Sequence, residues 1–366
     1  MYRHDNRVVM TLDAGGTNFV FSAIQANEYV LEPVTYPSNA ANLDNCLATL
    51  VKGFNEVKAK LDTEPVAISF AFPGPADYAN GVIGDLPNFP SFRGGVALGA
   101  FLEEKFNLPV FINNDGDLFA YGEALAGALN DVNDMLKEAG NPHEFKNVLG
   151  ITFGTGFGAG VVLNKRLLAG DNGAGGDIWC FRNKKYPSMI AEESVSIRAV
   201  IRVYEELSGE KDTGYTPKDV YDIAEGKKEG NKEAAIKSFA EFGEVAGDAI
   251  AQVITVVDGI VVIGGGLAGA SKYIIPSLVK EMNSEIGTFG GASFPRQQMK
   301  SYDLTDEAGR ASFMENKSIM VKVPQSDKEV LYNKEKQVGV IVSSIGASKA
   351  IALGAYAYAL AQIGDE

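Results

Sequence analysis

Residues able to do chemistry gather in glycine-bearing turns. The first is Asp13-Ala14-Gly15-Gly16-Thr17-Asn18. Glycine lets the main chain approach a ligand closely, and successive amide N–H groups form an anion-binding nest. Thr17 adds a hydroxyl donor. Asp13 stands where a carboxylate could hold Mg²⁺ through water, since magnesium favours one or two carboxylates plus phosphates. The same residues also suit a plain tight hairpin turn. The second turn is Gly154-Thr155-Gly156-Phe157-Gly158-Ala159-Gly160. A close phosphate or a crowded backbone would each account for its alternating glycines. The third, Gly264-Gly265-Gly266-Leu267-Ala268-Gly269, matches G-x-G-x-x-G, a weak dinucleotide signal without a clear βαβ unit and a ribose-binding acid after it. No G-x-x-x-x-G-K-[ST] sequence occurs, which argues against a P-loop nucleotidase. Three glycine loops, two of them on hairpins, suit a nucleotide clamped between two lobes.

A carboxylate for proton transfer lies in Phe111-Ile112-Asn113-Asn114-Asp115-Gly116-Asp117. Asp115 would emerge at the carboxyl end of a short strand, where ligands of open α/β sheets collect. There it could accept a hydroxyl proton while the oxygen attacks phosphorus. An ordinary carboxylate pKa near 3.9 would leave it ionised at neutral pH. Asn114 could bind a substrate hydroxyl as both donor and acceptor. The competing reading is helix capping near Leu118, for which Asp117 is the favoured cap.

Positioning these groups requires strands that end at the turns. Strand-like runs occur at Val8–Leu12, Val20–Ala26, Val66–Ala71, Val110–Ile112, Val148–Phe153, Ala159–Leu163 and Ile260–Ile263. Helical patterns alternate with them at Asn42–Leu61, Gly95–Phe106 and Leu118–Leu129. That alternation predicts an α/β fold. The stretches VVMTLDAGGTNFVFSAI and VLGITFGTGFGAGVVLN share one design of strand, glycine turn and strand, so they read as openings of two related domains. Polar helical material follows at 194–207 and 216–257, and an apolar helix closes the chain at 345–363. Residues 288–337 are mixed, charged and Gly/Pro-bearing, and read as an irregular excursion.

The composition removes several function classes. The 366 residues hold 33 Lys+Arg against 47 Asp+Glu, a net charge of -14. That balance opposes a broad nucleic-acid footprint or adhesion to an anionic membrane. With Cys46 and Cys180 as the only cysteines and His4 and His143 as the only histidines, neither a disulfide framework nor a multi-histidine metal site is available. A reducing, cytoplasmic setting is expected, and the polar N-terminus is not a signal peptide. The apolar stretch 248–270 is divided by Asp258 and closed by glycines. It reads as a buried helix to Val257, a turn and a strand Ile260–Ile263, not as a membrane span.

Taken in order, LDAGGTNFVFSAI, FPGPAD with LPNFP, NNDGDLFAYGEALAG, GITFGTGFGAGVVLN, GAGGDIW, AEESVSIRA and VVIGGGLAGA resemble the ROK family of sugar kinases and repressors. The likeness is weakest over 288–337. It implies the two-lobed actin-like ATPase (ribonuclease H-like) fold with a cleft between lobes. Residues 1–114, completed by the C-terminal helix 345–366, would form one lobe and 115–344 the other. It implies ATP with Mg²⁺ and phosphorylation of a hexose or N-acetylhexosamine hydroxyl. By resemblance, Asp115 is the catalytic base. Asn88, Asn114, Asp177 and Glu192 contact the sugar. Asp13, Gly15, Gly16 and Thr17 form the first phosphate loop, Gly154, Thr155 and Gly156 the second, and Gly265 and Gly266 the adenosine loop. A homodimer is an expectation of the family alone.

The departures are specific. Asp177 replaces the family's usual Glu, its sugar-contacting and often zinc-binding His is absent, and Trp179 and Cys180 occupy that neighbourhood. The cysteine cluster that holds zinc is missing, so no structural zinc is expected. Trp179 could stack on a sugar ring or fill the core left by the zinc loop, the latter being favoured. Asn18 replaces the commoner Lys. Residues 1–6 leave no room for a DNA-binding domain, which disfavours the repressor branch. The leading expectation is an ATP-dependent hexose kinase, with glucose ahead of N-acetylglucosamine, N-acetylmannosamine or fructose. A non-catalytic sugar sensor is the alternative from another class, and a dinucleotide enzyme ranks last.

Overall fold

The protein is described by a computed structural model covering residues 2–74, 76–84 and 89–364. In chain order the first elements are β1 (Val8–Ala14), β2 (Asn18–Gln25), β3 (Glu28–Tyr29), β4 (Val34–Pro37), α1 (Leu43–Ala59), β5 (Pro65–Ala71), β6 (Ala76–Asp77), β7 (Val82–Ile83), β8 (Val96–Ala97), α2 (Leu98–Phe106), β9 (Val110–Asn113) and α3 (Asp115–Leu125). Then come α4 (Ala128–Glu138), β10 (Val148–Phe153), β11 (Phe157–Leu163), β12 (Arg166–Leu167), α5 (Ile197–Ser208), α6 (Pro217–Ala224), α7 (Lys232–Val257), β13 (Ile260–Gly264) and α8 (Ser271–Met282). The chain ends with β14 (Glu285–Gly287), β15 (Ser293–Pro295), β16 (Lys300–Asp303), α9 (Glu307–Met314), β17 (Ser318–Lys322), β18 (Glu329–Asn333), β19 (Gln337–Val342) and α10 (Ala347–Ile363). By contacts it divides into one unit of residues 1–127, 160–176 and 345–366, and a second of 128–159 and 177–344.

In the first unit the sheet order is β3-β2-β1-β5-β9, with β4 on β2. β1 pairs antiparallel with β2 and parallel with β5, which pairs parallel with β9. Alternate side chains of β1 feed two cores. Met10 and Leu12 join Phe19, Phe21, Phe54 and Phe70 on the α1 side, whereas Val9 joins Ile24, Ala67, Tyr356 and Leu360 under α10. Burial on both faces explains why these strands read as continuous apolar runs. α3 and α10 approach so closely that a Cβ on Gly122 would lie 1.9 Å from the Ala350 carbonyl oxygen. That contact fixes the helix whose first residue is Asp115.

In the second unit β10, β13, β19 and β16 are parallel neighbours. The apolar stretch behaves as read. α7 ends at Val257, Asp258 takes a left-handed conformation with φ 47° as its cap, and β13 follows. Among the described residues no helix is long and apolar enough to cross a membrane. The segment read as an irregular excursion is instead ordered, holding β15, β16, α9, β17 and β18. β16 escaped notice because Lys300-Ser301-Tyr302-Asp303 is polar, although Ser301 and Tyr302 are buried.

Candidate active site

Asp13, Ala71 and Asn113 stand in register across β1, β5 and β9. At about 4.8 Å per strand, Asp13 and Asn113 are roughly 10 Å apart at the main chain. Asp115 follows two residues beyond Asn113, so both carboxylates leave the carboxyl ends of parallel strands in one unit. Asn114 is the N-cap of α3, its Oδ1 accepting from the Gly116 N–H at 2.8 Å. This corrects the expectation of Asp117 as cap. The helix starts three residues earlier than expected, and Asp117 lies buried inside its first turn. Asn114 therefore keeps its NH₂ group for a ligand. Asn113 is also buried, and its Nδ2 lacks a hydrogen-bond partner.

Asp115 is open to solvent, yet protein mass around it removes part of the carboxylate's hydration and raises its pKa above the ordinary value. The Gly116 N–H at 2.9 Å opposes that rise, as does the positive end of α3. The nearby charge of Asp13 adds to it. Asp13 is itself raised by desolvation. The Asp115 carboxyl thus sits above the ordinary carboxylate value expected from its residue type.

The first glycine turn closes through the Gly15 N–H on the Asn18 carbonyl, 3.0 Å. Ser38 straps it from outside, its Oγ donating to the Gly16 carbonyl at 2.6 Å and its N–H to the Thr17 carbonyl at 2.9 Å. Among the described residues the Gly16 and Thr17 N–H groups donate to nothing, and both residues are exposed. Ser38 was not singled out from sequence. Its position after Pro37 at a strand end carries no motif.

In the second unit, Gly154 N–H bonds the Gly156 carbonyl at 3.1 Å, and Ile197 N–H bonds the Gly154 carbonyl at 3.0 Å. Glu192 Oε2 accepts from the Phe157 N–H at 3.0 Å, and its Oε1 lies 3.6 Å from Arg198. The N–H groups of Thr155 and Gly156 donate to nothing among the described residues. A Cβ on Gly154 would meet open space, while one on Gly158 would lie 2.4 Å from the Thr152 hydroxyl. Ligand room and backbone crowding thus each explain part of the glycine run.

Gly265 follows β13 at φ 88°, and a Cβ there would sit 2.3 Å from the Phe153 carbonyl oxygen. Only glycine fits, and the close approach brings the Gly264–Gly266 turn beside the end of β10. Gly266 begins a short 3₁₀ turn over open space.

Asp177 is exposed at the head of a 3₁₀ turn, Ile178–Cys180, its carbonyl accepting from the Cys180 thiol at 3.1 Å. That turn meets the Ala191–Glu193 turn through the Ala191 N–H to Phe181 carbonyl bond, 2.7 Å. Trp179 is 41% exposed, so the core-filling reading fails and its indole face is available. Asn88 lies outside the described residues. Asp13, Asn114 and Asp115 are therefore gathered in the first unit. The 154–156 and 265–266 turns, Asp177 and Glu192 belong to the second.

Among the described residues no group of three or more His, Cys, Asp or Glu could hold a metal. A magnesium ion shared with phosphates does not need one. The hard, exposed carboxylate of Asp13, which accepts no hydrogen bond among the described residues, beside two bare amides, fits that arrangement.

A ROK family model matches residues 9–311. A crystal structure of glucokinase from Parabacteroides distasonis is 58% identical, covers 99% of both chains and superposes with a TM-score of 0.90. An N-acetyl-D-glucosamine kinase of Vibrio cholerae is 28% identical over 319 residues, covering 77% of this chain and 97% of its own. A ROK family glucokinase from Streptomyces griseus, solved with glucose and AMPPNP, shares the fold at a TM-score of 0.59 and 16% identity, with 96% of this chain and 98% of that one covered.

Proposed function

The chain belongs to the ROK family, and from that premise we propose that it is an ATP-dependent sugar kinase acting on a hexose hydroxyl, glucose first. Its α/β fold is the actin-like ATPase fold of the family's sugar kinases. The 58% identical glucokinase supports glucose, ahead of the N-acetylhexosamine that the Vibrio relative's name suggests. The observation that carries the chemistry is one carboxylate, Asp115, accessible yet raised in pKa, in the unit that also presents the bare amides of Gly16 and Thr17.

In this reading the Asp115 carboxylate takes the proton of the sugar hydroxyl as the new oxygen–phosphorus bond forms. The bond from the γ-phosphorus to the β-bridging oxygen breaks, and ADP leaves. With its raised pKa the carboxylate is a stronger base for that proton than an unperturbed one. Asn88, Asn114, Asp177 and Glu192 keep the sugar-contacting roles that the family resemblance gives them. Gly15, Gly16 and Thr17, and Gly154, Thr155 and Gly156, hold phosphate oxygens through main-chain N–H groups. Gly265 and Gly266 leave room for the adenosine. Asp13 would hold Mg²⁺ through water, and that ion supplies charge neutralisation on the phosphates. A reaction drawing on ATP fits a cytoplasmic setting.

An ADP-release assay over a panel of hexoses tests the reading, with the fluorescence of the single tryptophan, Trp179, reporting binding independently. Turnover of glucose with the highest kcat/KM, together with a fluorescence change on sugar addition, is expected. A fluorescence response without turnover of any hexose would identify the sensor alternative, which the absent family His motivates.

A further inference from the structure

Between Arg182 and Met189 one side chain is fully buried, and it is polar: Asn183, 0% exposed. A carboxamide taken out of water needs partners for its two N–H donors and for its oxygen. Asn183 has them all. Its Oδ1 accepts from the Lys185 N–H at 2.9 Å and the Tyr186 N–H at 3.0 Å. Its Nδ2 donates to the Ile190 carbonyl at 3.2 Å and to Ser194 Oγ at 2.8 Å. Nothing of the amide is left over for a ligand, so its role is to hold other residues.

The residues it holds form the two arms of one loop. The outgoing arm, 177–183, begins with Asp177 and Trp179. The returning arm, 189–195, carries Glu192 and leads to Ile197, whose N–H closes on the Gly154 carbonyl. The arms run antiparallel, with Arg182 bridged to Ile190 and the Asn183 N–H on the Met189 carbonyl at 3.0 Å. The Nδ2 bonds extend that pairing by side chain, past Ile190 to Ser194, which is itself buried. At the tip, Lys184 pairs with Glu244 at 2.9 Å and Glu281 at 2.6 Å, and Lys185 with Glu241 at 3.0 Å. These partly exposed ion pairs are individually weak. They seat the tip on α7 and α8 but do not join one arm to the other.

We propose that Asn183 is a positioning residue for sugar recognition: its carboxamide locks the arm bearing Asp177 and Trp179 to the arm bearing Glu192, so that both meet the sugar in one geometry. The proposal rests on the sugar roles given to Asp177 and Glu192 above. Contacts carried on separately moving arms must be ordered each time a ligand binds. Arms locked beforehand meet that cost in folding, and the ligand binds more tightly.

Full-length wild type, Asn183→Ala, Ser194→Ala, the double variant and Asp177→Ala are compared by glucose kinetics and by the fluorescence anisotropy of Trp179, the single tryptophan. Asn183→Ala should raise the glucose KM at least about tenfold and lower the anisotropy. Its kcat should stay within about threefold of wild type, since Asp115 lies on another element. A merely structural defect would instead reduce the folded fraction, lowering kcat and leaving KM in place. Ser194→Ala removes one acceptor of the Nδ2 group and should raise the glucose KM by about two- to tenfold, which keeps the test alive if Asn183→Ala folds poorly. The double variant should match Asn183→Ala, because their shared bond is lost only once. A glucose KM that rises in Asp177→Ala but stays put in folded Asn183→Ala or Ser194→Ala overturns the proposal alone, as do additive effects in the double variant. An unmoved KM in Asp177→Ala removes the sugar role on which the proposal rests, and the proposal falls with it.

Discussion

The first and second glycine turns solve the same problem with opposite use of a carboxylate. Each leaves two successive N–H groups without an acceptor among the described residues, Gly16 and Thr17 in one, Thr155 and Gly156 in the other. The first is braced by a serine, and its Asp13 carboxylate is exposed and raised in pKa by desolvation. The second is braced by a carboxylate, because Glu192 accepts the Phe157 N–H that follows the turn. An anion grip needs its amides held still, and either side chain does that. What differs is the charge left over. Asp13 remains free to attract a cation, whereas Glu192 is already engaged and faces Arg198.

The largest effect belongs to the first turn's neighbour. Asp115→Asn should lower kcat by about 10²–10⁴-fold, with sugar binding near normal by Trp179 fluorescence. Retained turnover would remove Asp115 as base. The acid limb of kcat/KM should lie above that of an unperturbed carboxylate because desolvation raises Asp115. Asp13 contributes to that rise, so Asp13→Asn should move the limb to lower pH, measured on whatever activity remains. Glu192→Gln should leave it in place, and a shift there would dissolve the contrast between the turns. Linkage gives an independent sign. A folded-state pKa above the unfolded value favours the protonated form, so the associated stability is complete below about pH 3.9 and lost as pH rises through the folded value. Asp115→Asn should therefore raise Tm at neutral pH, with the gain vanishing in acid.

This asymmetry was only half legible in the residues. Both turns announced themselves by glycine between apolar runs, because strand periodicity and turn chemistry are local. Asp115 was found the same way, as a carboxylate just past a strand. The brace was invisible. Ser38 lies 22 residues from Gly16 and Glu192 35 residues from Phe157, and no local pattern encodes such pairings. Asp117, preferred over Asp115 as the cap, gave way to Asn114 because Asp and Asn both cap well and only the backbone decides. Trp179 was misjudged because a large indole usually goes inside. β16 stayed hidden because two of its residues are polar groups satisfied within the core: Ser301 Oγ accepts from the Gln297 side chain and Tyr302 bonds Glu335.

A substitution of intermediate size separates bracing from sugar contact at the second turn. Glu192→Ala leaves the N–H of buried Phe157 unpaired, a cost of about 1–3 kcal/mol. Glu192→Gln keeps an acceptor for that N–H and should cost less. If the carboxylate only braces, Ala raises the KM for ATP, Gln restores it, and the sugar KM is unmoved. If it also binds sugar, Gln raises the sugar KM as much as Ala does.

The smallest effect tests the serine brace. Ser38→Ala removes one neutral hydrogen bond, worth about 0.5–1.5 kcal/mol, but leaves the Ser38 N–H on the Thr17 carbonyl. The Gly16 carbonyl sits on an exposed residue, so water can replace the lost donor and the cost should fall at the low end. A fall in Tm of about one degree or less follows for a chain of this length. The ATP KM should rise no more than severalfold, because the Gly15 to Asn18 closure persists and the amides stay unpaired. kcat should hold, since Ser38 faces a carbonyl of the turn and not the reacting atoms. A collapse of kcat with unchanged Tm would mean that the hydroxyl reaches substrate, and the two turns would then differ in chemistry as well as in how they are braced.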